Sequence, residues 1–360
     1  MIHERTSVGL DVHARSVVAC AIDGQTGELR QARLTPDNKE IHRWLAGLEG
    51  PVAVVYEAGP TGFGLARYLT SVGIECVVAA PSKLARPSGD RVKTDTRDAL
   101  HLARLLRLGE VTAVTVPGVE LEAARDLVRA RDDVRGDLSR ARQRVSKLLL
   151  RQGIVYSGGT PWTMIHEAWL RQQRFDQPGL QLAFDAGLEA MLLTADRRDR
   201  LDKQIEAMAA QQEYAPMVAR LGCLRGISTL TGFALTVEIG DWTRFTGSTI
   251  GAFIGLVPTE HSSGASRSQG SITKTGNSHV RRLLIEAAWQ HQRDYRTPSR
   301  TMRARWAKAP AAAATRGHQG NQRLHARWVA FNARHKRSVV ANTAIARELA
   351  GWCWSLATLE

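Results

Sequence analysis

Four carboxylates stand where short apolar runs end or a helix begins. Asp11 lies in Val8-Gly-Leu-Asp11-Val-His13, Glu57 in Val54-Val-Tyr-Glu57-Ala-Gly-Pro-Thr-Gly62, and Asp95 and Asp98 in Lys93-Thr-Asp95-Thr-Arg-Asp98-Ala99. A spacing of three places the last two on one helix face. Hard carboxylate oxygens drawn from several elements suit divalent cations. Two Mg²⁺ ions ~3.5 to 4 Å apart could activate a nucleophile and stabilise a leaving oxygen in phosphoryl transfer. Without a cation, four converging carboxylates would repel. Taken singly, Asp11 also reads as a turn former, and Asp95 and Asp98 as acids that complement a helix dipole. Their order on successive elements favours a metal site.

A second set of residues could supply a nucleophile. Gly255-Leu-Val-Pro258-Thr-Glu-His-Ser262-Ser263-Gly264 is followed by Ser271-Ile-Thr-Lys274-Thr-Gly276-Asn277 and then by a helix carrying Arg281 and Arg282. A serine beside a glycine can approach a phosphate closely, and a nearby cation would assist its deprotonation. His261 beside Ser262 is either a base or a residue without a role in the chemistry. The same residues also serve as ordinary turn formers, so this segment alone leaves both readings open.

The elements that must position these groups follow from periodicity. Ser7–Leu10, Val17–Ile22, Glu28–Leu34, Val52–Tyr56 and Ile74–Ala79 read as strands, and Asp23-Gly24 as a turn. Ile41, Trp44, Leu45 and Leu48 recur at helical spacing, and Phe63–Val72 reads as a helix. Thr94 can cap a helix through Leu100, Ala103, Leu105 and Leu106 that Gly109 stops. Alternation of strands and helices over the first ~110 residues indicates an α/β domain. From Val119 to Leu150 there is no proline, and Val134, Leu138, Ala141, Val145 and Leu148 follow the 3.5-residue spacing of a coiled-coil seam. A second arm spans Leu180–Gln212 with Leu201, Ile205 and Met208, so an antiparallel helical hairpin is expected, joining domains or pairing with another subunit. Beyond Pro216 the chain reads as helical, and Leu221–Gly232 resembles a helix-hairpin-helix turn with Ser228 where a glycine is expected. The resulting division is 1–115, an α/β domain; 116–215, the hairpin; and 216–360, a mainly helical domain.

Charge narrows the partner. The 360 residues carry 49 Lys plus Arg against 35 Asp plus Glu, a net charge of +14. From His261 to Arg347 there are seventeen basic residues and only two acids, Glu286 and Asp294, so this region holds the whole excess. Twelve of the bases fall in the acid-free stretch Tyr295–Arg347, interleaved with Trp306, Trp328 and Phe331, a composition suited to phosphates and base stacking. Candidate nucleic-acid contacts are Arg267, Lys274, Asn277, Arg281, Arg282, Arg303, Arg305, Arg323, Arg327, Arg334, Lys336 and Arg337. No run of ~18 apolar residues and no basic-then-apolar amino terminus is present, so a cytoplasmic protein without a membrane span is expected. Cys20, Cys76, Cys223 and Cys353 lie far apart, which argues against a zinc site or a disulfide framework.

Taken together the motifs resemble the transposases of insertion-sequence family 110. The resemblance rests on Gly9-Leu-Asp11, Glu57–Gly62, Lys93–Ala99, Gly240-Asp241-Trp-Thr-Arg-Phe245, Gly255–Pro258, Ser263-Gly264, Ile272–Asn277 and Arg281-Arg282, and covers most of the chain. It implies a ribonuclease H-like (RuvC-like) amino-terminal domain in which Asp11, Glu57, Asp95 and Asp98 bind Mg²⁺. It implies that Ser263, with Ser262 as its nearest rival, attacks a DNA phosphate to form a phosphoserine link. A structured non-coding RNA would select donor and target DNA, and the active species would be a homo-oligomer, dimer or tetramer. The chain departs from the family at Ser228 and in a longer segment from Ile154 to Leu182. Two other readings stay open: a metal-dependent nuclease or junction resolvase that uses water, and a non-catalytic nucleic-acid-binding protein.

Overall fold

The structure is a computed structural model that describes residues 5–84, 94–260, 263, 266 and 268–359. His261, Ser262, Gly264 and Arg267, named above, lie outside the described residues, as does Lys93. The chain divides into two compact units, 1–118 and 119–360.

The first unit is built on a five-stranded sheet. Its elements are β1 (Thr6–Val12), β2 (Val17–Ile22), β3 (Leu29–Leu34), α1 (Asn38–Ala46), β4 (Val52–Glu57), α2 (Gly64–Ser71), β5 (Glu75–Ala79) and α3 (Asp95–Leu108). Strand order is β3-β2-β1-β4-β5, with β1–β3 an antiparallel meander and β1, β4 and β5 parallel. Both faces of the central strands are covered, which is why they are continuously apolar. Val8, Leu10, Val54 and Tyr56 pack with Ile41 and Leu45 of α1 and Leu65 and Leu69 of α2. On the other face, Ala53 and Val55 meet Leu102 and Leu106 of α3, while Val18 and Cys20 meet Ala99.

Local signals fix α3. The Thr94 side chain accepts from the Arg97 amide, and Gly109 ends the helix at φ 70° with its N–H on the Leu105 and Leu106 carbonyls. Its placement depends on Gly9. A Cβ at this position would lie 2.0 Å from the Ala99 carbonyl oxygen and 2.6 Å from the Ala103 amide. Only glycine lets α3 cross β1 this closely.

The second unit begins with α4 (Val119–Arg151), α5 (Met164–Arg171) and α6 (Pro178–Ala209). Ala124 and Val128 of α4 pack with Ile205 and Ala209 of α6, whereas Leu138–Leu149 pack with Phe184, Leu188 and Met191, so the two long helices run antiparallel. The expected seam departs at its end: Leu149, not Leu148, is buried, and on α6 Ala209 is buried in preference to Met208. A straight helix of 3.6 residues per turn drifts off a strict 3.5 repeat, and the last contacts follow the helix. Residues 154–182 contain α5, whose Leu170 joins this core beside Trp162, Trp169 and Phe175.

The remaining elements are α7 (Ala215–Leu221), α8 (Thr229–Ile239), α9 (Ile250–Phe253), β6 (Pro258–Glu260), β7 (Gln269–Ile272), α10 (Ser278–Ala288), α11 (Arg300–Trp306), α12 (Ala311–Ala333) and α13 (Ser338–Ala357). Ser228 caps α8 by accepting from the Thr231 amide, so the residue standing in for the expected glycine works as a helix cap. The left-handed position of that turn is Gly226 instead, at φ 80°. The largest core of the unit gathers α7–α10, α12 and α13 around Leu224, Leu284, Trp328, Ile345 and Leu349.

Candidate active site and nucleic-acid interface

Asp11 and Glu57 end neighbouring parallel strands. The last register pair of β1 and β4 is Leu10 with Tyr56, so the two acids are the next residue on each strand. Alternation along a strand then puts both on the face that carries α3. The first turn of α3 brings Asp95 and Asp98 to that face, because Gly9 seats the helix on β1. Tyr56 helps shape the loop after Glu57 by donating its hydroxyl to the Gly62 carbonyl at 3.0 Å.

Among the described residues, Asp11, His13 and Asp95 each offer a ligand atom within 4.8 Å of the others. His13 Nε2 is 3.1 Å from Asp11 Oδ2. Burial, opposed by His13 and reinforced by the charges of Asp95 and Asp98, raises the Asp11 carboxyl above its ordinary pKa. Glu57 and Asp98 flank this tight group and stand outside it. The structure thus adds His13 to the acids that the sequence marks as ligands. The signal for His13 was its place two residues beyond Asp11, which projects it to the same face of an extended chain. Two carboxylates and an imidazole, with two more carboxylates alongside, are a fitting donor set for a divalent cation, which would also relieve the crowding of like charge.

Ser263 lies between β6 and β7, which pair antiparallel. It is exposed, and its amide donates to the Ser266 carbonyl at 3.2 Å while the Ser266 amide returns a bond of 3.1 Å. The base of this hairpin is tightly built. A Cβ on Gly276 would lie 1.8 Å from the Phe253 carbonyl oxygen, and Arg281 donates to the carbonyls of Ile254 and Thr275 at 2.9 Å each. Residues of β7, including Ser271, line one side of a groove of about 990 Å³ whose other side is α13 with Arg347, Trp352 and Ser355. Arg316 reaches into it, held by the Ser355 hydroxyl at 2.8 Å and stacked 4.6 Å over the Trp352 ring.

Several residues expected to contact nucleic acid are engaged within the protein. Asn277 caps α10 and donates to Glu238 at 2.7 Å. Glu238 is fully buried and also receives a two-pronged bond from Arg129 at 2.9 Å and a contact from His279 at 3.1 Å. Arg282 pairs with Glu286 and Asp132. Arg305 donates to the Ile227 carbonyl, and Arg323 and Arg327 both pair with Glu348, the first residue beyond the acid-free stretch. Lys274, Arg303, Arg334, Lys336 and Arg337 are exposed. The aromatics differ from the sequence expectation. Trp328 is wholly buried and offers no face to a base, whereas the half-buried Trp306 donates its indole N–H to the Cys223 carbonyl and the half-buried Phe331 lies 4.8 Å under the Arg327 guanidinium.

Comparison with known proteins agrees with the geometry. Residues 8–153 match a family model described as a transposase, of the DEDD type, and residues 218–306 match one described as the transposase IS116/IS110/IS902 family. The first implies a RuvC-like fold for the matched region and use of a divalent metal. The chain is similar to a Sinorhizobium fredii protein assigned as a transposase, with 38% identity over 97% of this chain and 88% of that one. It is also similar to the transposase for insertion sequence element IS1533 of Leptospira borgpetersenii, 32% identical over 92% of this chain and 97% of the relative. No helix among the described residues is long and apolar enough to cross a membrane.

Proposed function

Because the chain belongs to the IS116/IS110/IS902 family of transposases, which act on DNA by breaking and rejoining strands, we propose that it mobilises an insertion sequence through a phosphoserine intermediate at Ser263. The observation that carries this reading is the convergence of Asp11 and Asp95 with His13 at the strand ends of a sheet whose family model is a DEDD transposase. Asp11, Glu57, Asp95 and Asp98 would hold Mg²⁺, with His13 orienting or joining the Asp11 carboxylate. When bound, the metal supplies charge stabilisation for a phosphate under attack and for the departing oxygen.

The protein's own groups perform the rest. The Ser263 Oγ attacks phosphorus, its P–O bond replaces the P–O bond of the cut strand, and the hydroxyl proton passes to a base while the departing strand oxygen takes one up. One P–O bond forms as another breaks, so the link keeps the energy needed for rejoining. The reverse attack by a strand hydroxyl then regenerates serine. We read the exposed position of Ser263 as access for a strand. Site choice is assigned to a structured non-coding RNA that pairs with donor and target DNA, and the active species to a homo-oligomer. The basic residues between 261 and 347 would seat both nucleic acids.

The test combines the protein, RNA transcribed from the flanks of its element, Mg²⁺ and a nicked target duplex, and looks for SDS-resistant protein–DNA species. The expected result is an adduct in wild type and Ser262→Ala, absent in Ser263→Ala and Asp11→Ala and absent without the RNA. Cleavage without an adduct that survives Ser263→Ala but not Asp11→Ala would make the protein a water-using nuclease. Binding with no cleavage at all, unchanged in Asp11→Ala, would make it a non-catalytic binder.

A further inference from the structure

The α4–α6 arm carries a cavity of about 490 Å³, lined by several cations and far in sequence from the basic carboxy-terminal region. Its walls present Arg135, Arg142 and Lys147 from α4, Arg198 from α6 and the ring of Trp162 from the segment between the helices. Arg135 is paired with Asp132, and Arg198 with Asp199. Arg142 is different. Its guanidinium lies 5.1 Å from the Trp162 ring centroid, and its Nε is buried with no hydrogen-bond partner among the described residues. Burial first, then the neighbouring Arg198 charge, disfavours its charged form. A buried, charged N–H without an acceptor costs stability and is satisfied most economically by an anion.

The surrounding chain is shaped to hold that arrangement. Trp162 sits at φ 67°, a left-handed backbone that a bulky side chain rarely adopts. His166 Nδ1 accepts from the Trp162 amide at 2.9 Å, the two rings meet edge to face, and His166 stacks on Trp169. Strain retained in this way and spent on aiming one indole at one guanidinium is typical of a binding site.

We propose that this cavity binds a phosphodiester of a nucleic-acid backbone, Arg142, Lys147 and Arg198 taking the phosphate and Trp162 offering its face to an adjoining base or sugar. This accounts for the elaborated segment 154–182, which the catalytic reading leaves without a role. A phosphate is favoured over a carboxylate because four cations from two helices line one cavity, only Arg135 and Arg198 of them being paired with neighbouring aspartates, and a planar ring stands beside them. The site makes no use of Asp11 or Ser263, so it stands or falls separately from the recombinase reading.

The experiment uses the full chain and measures fluorescence anisotropy with three labelled probes, a duplex DNA, a single-stranded DNA and a hairpin RNA, across a series of KCl concentrations. Arg142→Gln should weaken binding to at least one probe and lower the slope of log affinity against log salt by about one; Lys147→Gln/Arg198→Gln should lower it by about two. The probe affected identifies the source of the phosphate. Arg142→Gln loses the Trp162 contact but no intramolecular hydrogen bond at Nε, so the thermal midpoint should fall only slightly while the salt slope changes; a merely structural arginine would lower the midpoint and leave the slope unchanged. Arg200→Gln, which removes an exposed α6 cation outside the cavity, is the control and should match the wild-type slope with every probe. Slopes unchanged for all three probes in both variants would overturn the proposal. So would a change in molecular mass by light scattering with unchanged slopes, which would make the cavity a protein interface.

Discussion

Gly9 of β1 and Ala99 of α3 are in backbone contact so close that a single methyl group on Gly9 would sit 2.0 Å from the Ala99 carbonyl oxygen. That contact sets the height of α3 over the sheet, and hence the distance from Asp95 to Asp11. The cluster of Asp11, His13 and Asp95 is therefore brought together by a residue with no side chain.

Gly9→Ala should push α3 away from β1. The expected cost is about 1–3 kcal/mol by urea denaturation, the range for overpacking, together with loss of strand cleavage. Affinity for nucleic acid should change little. A variant with unaltered stability and cleavage would show that α3 is seated by other contacts.

Asp11→Asn should abolish Mn²⁺ binding in a calorimetric titration and remove cleavage while leaving the fold intact. His13→Ala should act more mildly, weakening metal affinity about 10- to 100-fold, as expected where an imidazole positions a ligand. Equal losses in the two variants would make His13 a ligand in its own right.

Glu238 joins α4, α8 and α10 through Arg129, Asn277 and His279. Burial alone would raise its pKa, but the bonds from His279, Arg129 and Asn277 outweigh it and hold the carboxyl at about 2. Because the folded value lies below the ordinary 4.5, its contribution is complete above that pH and is lost as pH falls toward about 2. Glu238→Gln should cost about 2 kcal/mol, less than a fully buried pair because Arg129 is half exposed, and should flatten the stability profile across this window.

His291 is wholly buried, and burial, with the charge of Arg225 adding to it, lowers its pKa from 6.5 to about 3. The neutral ring is the folded form. Unfolding frees it to take a proton below pH 6.5, so stability from this group is present above that value and declines as pH falls toward about 3. His291→Leu should remove that decline between pH 6.5 and 4.5, a range that Glu238 does not touch, as followed by thermal midpoint against pH.

Features that depend on neighbours along the chain are legible in the amino-acid order alone. Strands such as Val17–Ile22 follow from apolar runs, α3 from the Thr94 cap and the Gly109 stop, and the long helices from proline-free periodicity. The chemistry of Asp11, Glu57, Asp95 and Asp98 was legible because residue type and element order are linear facts. Tertiary structure decided which groups meet. It added His13 to the acids and drew Asn277, Arg281 and Arg282 inward, Asn277 onto Glu238, Arg281 onto two backbone carbonyls and Arg282 onto Asp132 and Glu286. It also buried Trp328 in the core. A charge or ring read from sequence carries its chemistry but not its partner. Partners are chosen by packing, where a missing side chain at Gly9 or a one-residue shift of the seam from Leu148 to Leu149 changes what lies within a few ångströms.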